Sequence, residues 1–195
     1  MALSQVQIFN MALAKVGDMY ISSLTEGTKQ AIFANIFWEN ARDSLLEAHP
    51  WNFAMERVRL ALLAGAPVWG YNHKYQLPND CLKVLDVSTS GDFDSTQTID
   101  YKIEGRTLVT NEDTVYIKYT KQITDTSYYP PSFSRALACQ LAVMLAEPLA
   151  KPDAGEKQLL LQECEIALQT AKARDFDEGH NEEVGLYQTT FVRDN

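Results

Sequence analysis

The chain has 195 residues, 46% of them hydrophobic and 22% charged, a composition that supports a packed core and excludes a disordered or low-complexity protein. With 26 acidic and 17 basic residues the formal net charge is −9. That argues against a general nucleic-acid binder, whose affinity rests on neutralising phosphates, but not against a protein that DNA passes without adhering.

The length suits one good core or two small ones. No apolar run is expected to reach the roughly 18 residues of a membrane helix, and "MALSQVQIFN" lacks the basic-then-apolar pattern of a signal peptide. Cys81, Cys139 and Cys164 are odd in number and widely spaced. The last two fall among apolar helical residues, so they are expected to be buried thiols of a reducing compartment.

In chain order, Ser4 is a good helix cap, and Val6, Phe9, Leu13 and Val16 follow at helical steps until Gly17-Asp18. A polar loop then leads to a second helix, expected over about Thr25 to His49. Ile32, Phe33, Ile36, Phe37 and Trp38 make it apolar on more than one face, which predicts a central position. Pro50 stops it, and an extended exit is expected through Trp51 and Phe53. Val58, Leu60 and Leu62 alternate with Arg57, Arg59 and Ala61, predicting one strand with one wet face.

"AGAPVWGYN" reads as a turn-rich loop. Tyr75–Leu77 reads as a short strand, and Leu82 to Val87 as a strand buried on most of both faces. After the loop "STSGDFDSTQ", Ile99, Tyr101 and Ile103 alternate, and a turn at Glu104-Gly105-Arg106 folds Thr107–Thr110 back as a hairpin. Val115, Ile117 and Tyr119 alternate again, so about residues 52–125 are expected to form an antiparallel sheet. Helix returns near Pro131, with Phe133, Leu137, Leu141 and Leu145 stepping by four beside Ala136, Ala138, Ala142 and Ala146. Pro148 and Pro152 end it. A last helix is expected from about Asp153 to Arg174, burying Leu161, Cys164, Leu168 and Ala171.

The fold class expected is therefore α+β: a four-helix bundle with an antiparallel β-sheet inserted between helices two and three. The helical part would comprise residues 1–50 and 130–176, the inserted β region 51–129, and an extended C-terminal docking tail 177–195. In that tail Val184, Leu186, Tyr187, Phe191 and Val192 follow an acidic spacer. Leaving such side chains in water costs roughly 1.5–3 kcal/mol each, so they are expected to dock on this chain or on another subunit.

Candidate chemistry is sparse. Glu39, Asp43 and Glu47 share a helix face and read as a solvated or subunit-facing stripe. His49, His73 and His180 form no metal-binding spacing, and His49 is expected to finish the second helix through its terminal carbonyls. Cys139 has no visible base partner, and no phosphate-cradling or nucleophile-elbow motif occurs. No catalytic, cofactor-binding or metal-binding residue is assigned. Pro50, Trp51 and Phe53 read as a structural corner between helix and sheet.

Four stretches, "FNMALAKVGDMYISSLTEGTKQA", "ARDSLLEAHPWNFA", "GYNHKYQLPNDCLKVLDV" and "YYPPSFSRALACQLAVMLAEPLA", followed by "ALQTAKARDFDEG", carry a resemblance. In their order and spacing they resemble the tail tubular protein A family, the head-to-tail adaptors of short-tailed bacteriophages and prophages. The likeness extends to about Gly179 and contains no catalytic signature. It implies a structural virion protein of the tail or neck, synthesised in the bacterial host cytoplasm. Its partners would be the portal protein, tail nozzle subunits and copies of itself in a dodecameric ring. Genomic DNA would pass through the channel without sequence-specific binding, and no membrane or cofactor would be involved. The alternatives are a phage-particle hydrolase of cell wall or nucleic acid, using Glu39 with Asp43 or Glu47, and a different tail-completion or head-closure protein.

Overall fold

A computed structural model describes residues 2–93 and 98–179. Four helices and two antiparallel sheets make the chain α+β. Helix α1, Gln5–Val16, starts in a reciprocal cap: the Ser4 hydroxyl accepts from the Gln7 backbone N–H, and the Gln7 side chain accepts from that of Ser4. It ends at Gly17, whose φ of 71° no β-carbon would favour. Helix α2, Lys29–Glu47, is capped by Thr28 and begins later than expected. Glu26 explains the delay: its carboxylate accepts the backbone N–H groups of Ser22 (2.6 Å) and Ser23 (2.8 Å), holding a loop where a helix was expected.

Helix α3, Pro131–Leu145, has proline in its first turn, where the missing N–H is no loss. A wider π turn, Ala146–Ala150, continues it before the chain leaves. Pro148 cannot donate to the α-helical ladder, and the Lys151 N–H closes the turn on the Ala146 carbonyl at 2.8 Å. Helix α4, Ala154–Gly179, is the longest element, and its last three residues occupy positions 177–179 assigned from sequence to the tail.

The central helix is α3, which packs against each of the other three. Phe133, Leu137, Leu141 and Leu145 are fully buried, and small Ala138 and Ala142 admit neighbouring helices closely. The expectation of a central α2 is corrected: Ile32 and Ile36 lie exposed. Pro131–Ala150 is also long and apolar enough to cross a membrane, contrary to the sequence reading, but more than half of it is buried inside the protein as the middle of a core.

The β region contains two sheets rather than one. Strands β1 (Met55–Arg59), β7 (Tyr116–Lys121) and β4 (Cys81–Ser88) form one, in the order β1-β7-β4. Strands β2 (Ala61–Leu62), β3 (His73–Gln76), β6 (Thr107–Thr110) and β5 (Tyr101–Glu104) form the other, in the order β2-β3-β6-β5. The expected single strand over residues 58–62 thus changes sheets at buried Leu60, whose N–H bonds the Val115 carbonyl at 2.9 Å. Beyond that switch Leu62 is exposed. Two register shifts in β4, at Cys81/Lys83 and Val84/Asp86, turn Lys83 and Asp86 outward, so that strand is not buried on both faces. Leu60, Tyr75, Leu108, Ile117 and Tyr119 share one cluster filled from both sheets. A separate, larger cluster joins the helices to Trp51, Ala54 and Tyr129.

Candidate interaction surfaces

The segment after Pro50 is a 3-10 turn, Asn52–Ala54, not an extended exit. Trp51 lies 1% exposed at its start, and its indole N–H donates to the Leu45 carbonyl at 2.8 Å. The ring packs edge-on against Phe133 (5.1 Å between centroids), with Phe53 4.8 Å from the same phenylalanine. Tyr129 joins them at 4.9 Å from Phe133. His49 does not cap α2: its Nε2 is 3.0 Å from Asp175 Oδ2 on α4. The other Asp175 oxygen accepts the Asn52 N–H at 2.9 Å. Asp175, which sequence reasoning missed, therefore ties the end of α4 to the turn after α2. It was marked only by being one acid in the acidic run "RDFDEG".

The α2 acidic residues do not act together. Asp43 is held bidentately by buried Arg42 at 2.7 and 3.1 Å, and it accepts from Gln122 beyond β7 at 2.8 Å. Glu39 and Glu47 stay exposed. His73 lies 3.1 Å from Asp113, far along the chain from His49, and His180 is outside the described residues. Among the described residues no group of three or more His, Cys, Asp or Glu is placed to hold a metal ion.

Large apolar side chains reach solvent at several places, Met19, Tyr20, Ile103 and Tyr128 among them, and three groups lie on a loop tip or a helix face. The loop between β2 and β3 presents Val68, 99% exposed, and Trp69, 81% exposed. Gly65 (φ 83°) and Gly70 (φ 90°) bracket this tip in left-handed conformations. Its base is fixed by Tyr71 donating to Asp100 (3.1 Å) and by the Asn72 N–H donating to Asn111 (3.0 Å). On α2, Ile32 and Ile36 make an exposed stripe beside the stacked rings of Phe33 and Phe37, 5.9 Å apart. On α4, Leu159, Leu161 and Ile166 face outward, so the expected burial of Leu161 is corrected; Cys164 and Leu168 are only half-buried, and Ala171 and Asp175 are the buried positions among the described residues of that helix.

The tail residues Val184, Leu186, Tyr187, Phe191 and Val192 lie outside the described residues. Compared with known proteins, the chain matches no family model and no curated relative.

Proposed function

We propose that the chain is a structural subunit of a phage or prophage connector, a head-to-tail adaptor of the tail tubular protein A kind. It would assemble as a ring between portal and tail nozzle and line part of the DNA channel. Its four helices form one layer in that ring, with the β region projecting from between α2 and α3.

The observation that carries this reading is apolar side chains exposed on three separate elements: Val68–Trp69, Ile32–Ile36 and Leu159–Ile166. Ring closure needs a heterologous contact, in which one patch meets a different patch on the next copy. Separate apolar stripes on α2 and α4 supply two such patches, and a stiffly based loop tip supplies a third. The net charge of −9 suits a channel wall that repels phosphates and lets DNA slide. Tyrosine, leucine and valine at positions 184–192 give the ring a means of gripping a portal.

The test is the native mass of the chain alone and mixed with its cognate portal. The mixture is expected to yield a ring of many copies on one portal, and removing residues 181–195 to abolish it while the remainder stays folded. A chain that stays single beside the portal, or that turns over peptidoglycan or DNA, overturns the reading.

A further inference from the structure

Helices α1 and α4 both pack on α3, and an open groove runs between them. It consists of two cavities, of about 180 and 450 Å³, that share Lys15 and Glu163 in their walls. The ion pair of those two residues bridges the groove. Ile166 lines the first cavity and Leu159 the second, and each leaves 67% of its surface in solvent. Arg135 and Arg174 stand at the first cavity, so its charged residues are three cations against the single carboxylate of Glu163. Neither arginine has an ion-pair partner among the described residues. Pro131 and Ser132, the first residues of α3, lie at the same end, where the start of a helix favours negative charge. In a chain of net charge −9 this groove is thus locally basic at one end and apolar along its length.

The chain beyond the described residues leaves from the basic end. Helix α4 stops at Gly179, five residues past Arg174. Glu182 and Glu183 come next, and the apolar Val184, Leu186, Tyr187, Phe191 and Val192 follow them. Along α4 the rise from Arg174 back to Leu159 is about 22 Å. An extended chain from Glu183 to Phe191 spans up to about 28 Å. A course antiparallel to α4 therefore brings acid to base at one end and apolar side chains to Ile166 and Leu159 beyond it.

We propose that residues 182–192 dock in the groove between α1 and α4 of their own chain. Glu182 and Glu183 meet Arg135 and Arg174, Val184 to Tyr187 cover Ile166, and Phe191 and Val192 reach Leu159. The attachment at Gly179 favours the chain's own tail over that of another copy, because it holds the segment at the groove at high effective concentration. The docking itself does not rest on the connector reading. Joined to that reading, it makes the tail a cover: a portal that draws the tail away also bares the Leu159–Ile166 stripe for the next copy, so free chains stay single until a portal is present.

The experiment places the photo-reactive benzoylphenylalanine at position 187 of the full chain, irradiates it without portal, and maps the products by peptide mass. One dominant link is expected, within a single chain, to the groove wall over residues 159–170 or 131–139. Mixing heavy- and light-isotope chains should give no link between copies. Ile166→Asn should lower the yield about tenfold, and Arg135→Glu with Arg174→Glu about fivefold. Adding Glu182→Arg and Glu183→Arg to the second variant should restore it. All three substituted groove residues are exposed, so the unfolding curves should match that of the parent. Links scattered over the surface, links between copies, or a yield indifferent to both groove variants would overturn the proposal. Because no portal takes part, that failure is distinct from a failure of ring assembly.

Discussion

Trp51 does two jobs with one side chain. Its ring fills the junction between α2, α3 and the turn after Pro50, and its N–H satisfies a carbonyl in the last turn of α2 that the helix itself leaves open. Trp51→Ala should therefore destabilise the protein by about 3–5 kcal/mol, while Trp51→Phe should cost less, since it keeps much of the packing and loses mainly the hydrogen bond. Denaturant unfolding checks the order, and equal losses would show that the hydrogen bond, not the ring, dominates. Tyr129 gives a second residue-level expectation. Burial pushes its phenol up to about 12, and its hydroxyl donates to the Ile123 carbonyl at 2.6 Å. The unfolded chain ionises this group near 10, so between about pH 10 and pH 12 the folded state holds the extra proton. Stability is then complete below pH 10 and falls as pH rises, since the unfolded state binds fewer protons there. Tyr129→Phe should flatten that alkaline slope in urea titrations at stepped pH. The sequence marked Trp51 as important because large aromatics follow a helix stop. It could not show that His49 and Asn52 would meet Asp175, because a sequence separation of 126 residues carries no periodic signal.

Helix α4 shows how an element can be legible in type and illegible in facing. Its helical steps were plain, and Ala171 does turn fully inward, but Cys164 and Leu168 are only half-buried and Leu161 is exposed. With so narrow a buried stripe, the hold of the α4 C-terminal end depends on Asp175, which receives His49 and Asn52 at once. Asp175→Ala leaves both without their carboxylate and should cost about 1–3 kcal/mol, with Asp175→Asn costing less because it keeps an acceptor. Hydrogen exchange should locate the effect: amides over residues 172–179 should open sooner while those of α3 keep their protection. Uniform loosening of the whole chain would show that Asp175 supports the core and not one helix end. The β region shows the same limit. Alternation over residues 57–62 is identical whether the strand stays in one sheet or switches at Leu60, so periodicity gave a strand and concealed the change of sheet.

At the scale of the whole molecule, the misplaced α2 is the most informative error. Apolar residues on more than one face predicted a helix surrounded by its own chain, yet Ile36 is 59% exposed. Hydrophobic patterning reports that a face must be covered and is silent about which chain covers it. The same ambiguity separates α3, whose faces are closed by α1, α2 and α4, from α2, whose outer stripe is left for something else. A neighbouring copy as the cover leads to a prediction in which folding and assembly come apart. Trp69 and Ile36 make few demands on the single chain, so Trp69→Ser and Ile36→Asn should each change its unfolding free energy by no more than about 0.5 kcal/mol. In a ring the same side chains become buried anchors, and losing an aromatic anchor of that kind costs about 2 kcal/mol or more per contact, roughly thirty-fold in affinity. Because every copy repeats the contact, the loss multiplies around the ring, and rings should give way to single chains at concentrations where the parent sequence is fully assembled. Sedimentation of each variant with portal, beside its own unfolding curve, reads both quantities. Variants that assemble like the parent would remove these patches from the interface, and variants that unfold readily would mean the two side chains belong to the core after all.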